Sequence, residues 1–157
     1  MKGKWKSLAV CLLLPLTVGG LSALLSMEGM KDFARLEQPP LSPPAWLFPV
    51  VWTALYLAMG LASWLVLTSG RHQALTEKAL WWYGLQLLTN FFWSILFFRL
   101  ELRLTAFLWL VLLWVLILIT LRQFHRLRPA AGWLLVPYLL WVTFAGYLNF
   151  GVWLLNR

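Results

Sequence analysis

The chain carries five runs without a charged residue, each long enough to cross a lipid bilayer: Ser7–Met27, Trp46–Ser69, Ala79–Phe98, Leu104–Leu121 and Ala130–Leu155. A hydrocarbon core of about 30 Å takes about 20 apolar residues per helix. The runs use most of the 157 residues, and no separate soluble domain fits in the remainder. They read as helices. Leu108–Ile119 is apolar on every side, whereas a barrel strand alternates with a period of two, and a helix satisfies its own backbone groups in lipid. The expected fold is all-α: a polytopic, multi-pass, five-helix membrane bundle forming one domain over residues 1–157.

The net charge of +8 is accounted for by bases flanking the spans, which set orientation, so no nucleic-acid partner is expected. With alternating spans, Lys2, Lys4, Lys6, Arg71, Lys78, Arg122, Arg126 and Arg128 share the side of the N-terminus. Lys31, Arg35, Arg99, Arg103 and Arg157 take the other side. Eight against five favours a cytoplasmic N-terminus, and a helical bundle suits an inner or plasma membrane, here a bacterial cell membrane. The basic start followed by Leu8–Val18 has the look of a secretory signal, but the uncharged stretch runs on to Met27, longer than a typical signal core. Cys11, the single cysteine, has no internal partner and falls within the first span.

Between the first two spans lies the longest loop, residues 28–45, with Pro39, Pro40, Pro43 and Pro44. Proline fixes φ and restricts the residue before it, so 38–44 is expected to be extended and stiff. The loop is longer than adjacent helices require, and the preferred reading is a lid over a pocket, with Pro43, Pro44 and Trp46 at its second end. The remaining loops, 70–78, 99–103 and 122–129, are short, which predicts an up-down bundle of spans two to five; His72 and His125 fall within them.

No Asp, Glu, Lys, Arg or His lies inside the spans, which argues against ion-coupled pumping and voltage sensing. No metal-ligand spacing, catalytic Ser–His–Asp set or phosphate loop is present, so no metal and no required cofactor are expected. The polar residues inside the spans are few. Gln86 and Asn90 share one face of the third span with Trp82 and Trp93, either as interhelical glue or as a ligand-facing wall. In the second span Trp52, Tyr56 and Gly60 form one stripe, as cavity wall or lipid-facing bulk. Ala54, Ala58 and Ala62 form a nearly opposite stripe suited to close packing, within the bundle or across a dimer. The fifth span presents Tyr138, Trp141, Ala145 and Asn149 on one face, a small residue leaving a slot beside aromatics. Twelve tryptophans, several well inside the spans, exceed what headgroup anchoring explains. They favour a mostly apolar pocket for a flat ligand.

Three blocks carry a family resemblance. Gln38-Pro39-Pro40-Leu41-Ser42-Pro43-Pro44-Ala45-Trp46-Leu47-Phe48-Pro49-Val50-Val51-Trp52-Thr53-Ala54-Leu55-Tyr56 resembles the signature of the tryptophan-rich sensory protein family, also called TspO, the translocator protein or peripheral benzodiazepine receptor. Gln86–Ser94 is similar to the family's third helix and Leu135–Asn149 to its fifth. The resemblance implies a five-helix bundle, commonly a homodimer, that binds tetrapyrroles such as protoporphyrin IX and, in some members, sterols and benzodiazepine-type drugs. The pocket positions it implies are Trp52, Gln86, Asn90, Trp93, Tyr138, Trp141 and Ala145 under the first loop, with Tyr56 on the stripe of Trp52. The chain departs from the family at Asp32-Phe33, where an aromatic pair is usual, and in the sterol motif, where Phe150 replaces a tyrosine and the next base after Tyr147 is Arg157.

The leading functional expectation is a membrane receptor for tetrapyrroles with a role in transport or stress sensing. A second is light-dependent oxidative breakdown of the bound porphyrin, for which the resemblance implies Trp52 and Trp141. A third is a structural or interaction protein without a small ligand, for which the alanine stripe speaks.

Overall fold

The computed structural model describes residues 2–157. Among them the chain forms five helices and no strand: α1 (Lys2–Phe33), α2 (Leu47–Leu67), α3 (Gln73–Ser94, continued by a π-helical turn Ile95–Arg99), α4 (Arg103–Leu127) and α5 (Pro129–Leu155). Helices α1, α2, α4 and α5 are each long and apolar enough to cross a membrane. Helix α3 is more polar because Gln73, Glu77, Lys78, Gln86 and Asn90 fall in it. Its two mid-helix amides are buried inside the bundle, not turned to lipid. The five-helix all-α fold stands as expected.

Helices α1, α3 and α4 outrun their uncharged stretches, and α5 does so by one residue, whereas α2 stays within its own. The absence of charge marks the hydrocarbon, whereas the helical hydrogen-bond ladder continues into the headgroup zone wherever packing supports it. All four expected loops change as a result: residues 73–78 of the second are the first turns of α3, and of the third Arg99 ends the π turn while Arg103 opens α4. Residues 28–33 are the last turns of α1, not loop; there Phe33 packs edge-on against Phe97 and Phe98 of the π turn, with ring centroids 5.5 and 5.4 Å away. Residues 122–127, expected as a basic loop, complete α4 and carry His125 within it. Arg128 alone separates α4 from α5, with Pro129 opening the new helix, where the missing N–H of proline has no intrahelical partner to lose. His72 does lie in a loop, just before α3.

The helices pack in the circular order α1, α2, α5, α4, α3. Despite the short connection between them, α2 meets α3 less closely than it meets α1 and α5. The α1–α2 crossing is tight because of glycine. A Cβ on Gly60 would come 2.6 Å from the Cys11 carbonyl oxygen, and one on Gly19 would run into the Tyr56 ring. Pro15 is accommodated inside a continuous α1. In the alanine stripe, Ala62 is fully buried while Ala54 lies on the outer surface. The core runs from Val66, Ala79 and Phe124 at the end bearing the N-terminus to Trp93, Phe97 and Val152 at the other.

Candidate functional site: an aromatic cluster between three helices

One-turn spacing carries Phe48, Trp52 and Tyr56 down one face of α2. The same arithmetic puts Gln86, Asn90 and Trp93 on one face of α3, and Tyr138, Trp141 and Ala145 on one face of α5. The fold turns these faces toward one another. The Trp52 ring stacks on Tyr56 at 5.6 Å, lies 6.4 Å from Trp93 and meets Tyr138 edge-on at 6.3 Å. Trp93 stacks in turn on Phe97 of the π turn at 5.5 Å. Gln86, Asn90, Trp93, Tyr138 and Ala145 are buried, and Trp52, Tyr56 and Trp141 are half-buried.

Hydrogen bonds fix the cluster's polar edge. The Tyr138 hydroxyl donates to Gln86 Oε1 at 2.7 Å. Asn90 Nδ2 donates to the Tyr56 hydroxyl at 3.4 Å, a long contact. Trp93 Nε1 donates to Asn149 Oδ1 at 3.1 Å, and Asn149 Nδ2 donates to the Arg103 carbonyl at 2.8 Å. The two amides of α3 therefore do act as interhelical glue. Two donors in the same region have no partner: Gln86 Nε2 and Trp141 Nε1 are buried and unbonded. Such groups cost roughly 1–3 kcal/mol each when left unmade, and a ligand atom able to accept is one way to recover that.

Two placements differ from a simple slot walled by Trp52 and Trp141. The three helix faces touch ring to ring, so Trp52 itself occupies the space between α3 and α5. Trp141 packs instead against Phe48 at 6.0 Å and Phe144 at 5.7 Å. Phe48 escaped the sequence reading, although it lies one turn before Trp52 and so on the same stripe.

The first loop is shorter than expected, 34–46, and residues 38–44 are not uniformly extended: the chain turns at Pro40-Leu41, with Leu41 at φ +68°. The Ser42 hydroxyl braces the turn by donating to the Pro39 carbonyl at 2.7 Å. The loop's first half is tied to the end of α5. Glu37 N–H donates to Asn156 Oδ1 at 3.0 Å and Asn156 Nδ2 donates back to the Glu37 carbonyl at 2.9 Å. The Tyr147 hydroxyl donates to the Pro40 carbonyl at 2.7 Å. Pro39 is buried on Gly151, where a Cβ would come 2.7 Å from its ring. Pro43 is half-buried, Pro44 is exposed, and the Pro44 carbonyl accepts from Leu47 N–H as α2 begins. Trp46 stands 66% exposed at the head of α2. The ties at Glu37, Pro39 and Pro40 were not anticipated; a tyrosine and a terminal asparagine near a proline loop were the signals available.

The TspO/MBR family model matches residues 11–154. The tryptophan-rich protein TspO of Chlorobaculum tepidum is 38% identical over 151 residues, covering 96% of each chain. Protein CrtK of Rhodobacter capsulatus is 36% identical over 138 residues, covering 88% of this chain and 85% of its own. The translocator protein of Bos taurus is 36% identical over 149 residues, covering 92% and 87%. With a match of this extent, over helices of this length and apolarity, the chain is an integral membrane protein of the TspO/MBR family.

Proposed function

We propose that the chain binds a planar tetrapyrrole, protoporphyrin IX or a close relative, between α2, α3 and α5. The observation that carries this reading is the pairing of an uncharged cluster of stacked rings with two buried, unbonded N–H donors, Gln86 Nε2 and Trp141 Nε1. A macrocycle offers a large aromatic face to the indoles and acceptor atoms to the donors. Because Trp52 fills the middle of the cluster, binding proceeds by displacement. The Trp52 ring leaves Trp93 and Tyr138, forfeiting about 0.5–1.5 kcal/mol per ring pair beyond area burial, and recovers it by stacking on the ligand. The loop tied to α5 is the element that closes the lid-side mouth. No acid or base lies within the cluster, which suits binding and delivery, not acid-base turnover.

The test is a protoporphyrin IX titration of the detergent-solubilised protein, followed by tryptophan quenching and the Soret band. The expected result is saturable binding weakened by about three- to tenfold in Trp52→Ala, because the indole covers more area on the macrocycle than on Trp93 and Tyr138 and only that surplus is lost. Binding unchanged in a Trp52→Ala, Trp141→Ala double variant of intact helicity would remove the cluster from the site.

A further inference from the structure

On the outer face of α4 and α5 an open groove of about 390 Å³ runs between Phe107, Leu110 and Trp114 on one side and Gly146, Tyr147 and Phe150 on the other. Its Trp114 indole N–H is already spent on the Thr143 hydroxyl at 2.8 Å, so the walls are apolar in effect. A second recess, of about 230 Å³, is lined by Arg103, Thr105, Trp153, Asn156, Arg157 and one acid, Glu101, so that its net charge is positive. The two adjoin. Arg103 lies one turn before Phe107 on α4, and Trp153 and Arg157 follow Phe150 at one-turn steps along and just past α5. The Phe107 and Phe150 rings, 5.2 Å apart, stand at the junction.

The basic end is built to receive charge. Arg103 Nε is buried with no hydrogen-bond partner, and the Arg157 guanidinium is carried over the Trp153 ring at 5.6 Å. Eleven helical steps lead from Arg103 to Trp114, a rise of about 16 Å, which is the depth of one leaflet of a hydrocarbon core about 30 Å thick. A cationic recess at the headgroup level and a dry groove one leaflet deep describe a single amphiphile.

We propose that this face is a binding site for one anionic phospholipid. Its phosphate accepts from Arg103, Arg157 and the Thr105 hydroxyl, and one acyl chain lies along the groove over Gly146. Guanidinium groups suit phosphate through paired, charge-assisted hydrogen bonds. Glycine at position 146 keeps the groove deep: a Cβ there would meet only Leu110, at 3.7 Å, while a longer side chain would fill the channel. The site lies on the lipid side of the bundle and stands whether or not the inner cluster takes a tetrapyrrole.

The experiment is native mass spectrometry of the full chain released from nanodiscs holding equal amounts of phosphatidylglycerol and phosphatidylcholine with identical acyl chains. The wild type is expected to retain the anionic lipid with a preference of about five- to thirtyfold, the low end for one net positive charge, where Glu101 offsets one arginine, and the high end for two. Arg103→Gln with Arg157→Gln should abolish the preference, while Arg103→Lys with Arg157→Lys, which preserves charge, should retain most of it. Gly146→Leu should lower retention of both lipids; circular dichroism checks the fold of each variant. Equal retention of the two lipids by the wild type, or an undiminished preference in the folded double glutamine variant, overturns the proposal. So does displacement of the lipid by glycerol phosphate at equal concentration, which would make the recess a site for a free anion.

Discussion

Gln86 shows how a single side chain ties stability to binding. Its Oε1 accepts from Tyr138 while its Nε2 is buried without a partner, so the amide is already half unsatisfied before any change is made. Removing the Tyr138 hydroxyl leaves both ends unbonded. Tyr138→Phe should therefore destabilise the bundle, by about 1 kcal/mol on the scale of interhelical hydrogen bonds in membranes. Adding Gln86→Leu should recover most of that loss, because replacing both partners by apolar groups avoids the unmade bond. Reversible unfolding of the two single variants and the double in mixed micelles gives the coupling; additive losses would mean that the contact contributes nothing. A second residue-scale expectation concerns Gly19, whose missing side chain makes room for the Tyr56 ring. Gly19→Val should push that ring out of its stack on Trp52 and red-shift the tryptophan emission, whereas Gly20→Val, at a position with open space, should not.

At the level of the helix, charge patterning located all five elements but misjudged where they stop. Lipid contact and helicity are different properties: the first needs apolar side chains, the second only an unbroken backbone ladder with something to pack on. Helix α1 continues to Phe33 because that ring has Phe97 and Phe98 to meet, a contact between residues more than 60 apart that one-dimensional spacing does not reveal. One-turn spacing, by contrast, is local: of the residues it grouped, Gln86, Asn90 and Trp93, and Trp52 with Tyr56, meet in the cluster, while Trp82, put on the stripe of Gln86, pairs with Trp81. What spacing leaves open is how far one helix is turned against the next, which is why Trp141 pairs with Phe48 and not with Trp52. The α1–α2 contact offers an element-scale prediction. Gly60→Ala drives a methyl into the Cys11 backbone, 2.6 Å from its carbonyl oxygen, so the two helices must separate, at a cost of about 1–3 kcal/mol. Gly84→Ala, with nothing within 4 Å, should instead be neutral or stabilising by up to about 1 kcal/mol through helix propensity. Thermal melts of the two variants in one detergent decide it; equal melting temperatures would mean that the crossing is slack.

For the whole molecule, the circular order α1, α2, α5, α4, α3 brings the last helix against the second. Because α5 sits there, its far end reaches the loop that leads into α2, and chain segments more than 100 residues apart are joined by the Tyr147 and Asn156 hydrogen bonds. The cluster is closed by its own rings, and the first loop is held to α5 by three hydrogen bonds and one proline–glycine contact; on the binding mode proposed above, opening breaks ties that form again once the ligand is seated. This arrangement predicts kinetics more than affinity. Tyr147→Phe keeps the ring but loses the bond to Pro40, a net contribution of about 0.5–1.5 kcal/mol. Both association and dissociation of protoporphyrin IX should then accelerate by roughly two- to tenfold, with the equilibrium constant nearly unchanged, because the tie is lost from the free and the bound closed states alike. Stopped-flow quenching separates the rates, and hydrogen exchange at the Glu37 amide, which is bonded to Asn156, reads loop opening without any ligand. Faster exchange at Glu37 with unaltered binding rates would show that the loop opens without gating the cluster. Unaltered exchange would show that the Tyr147 bond does not hold the loop.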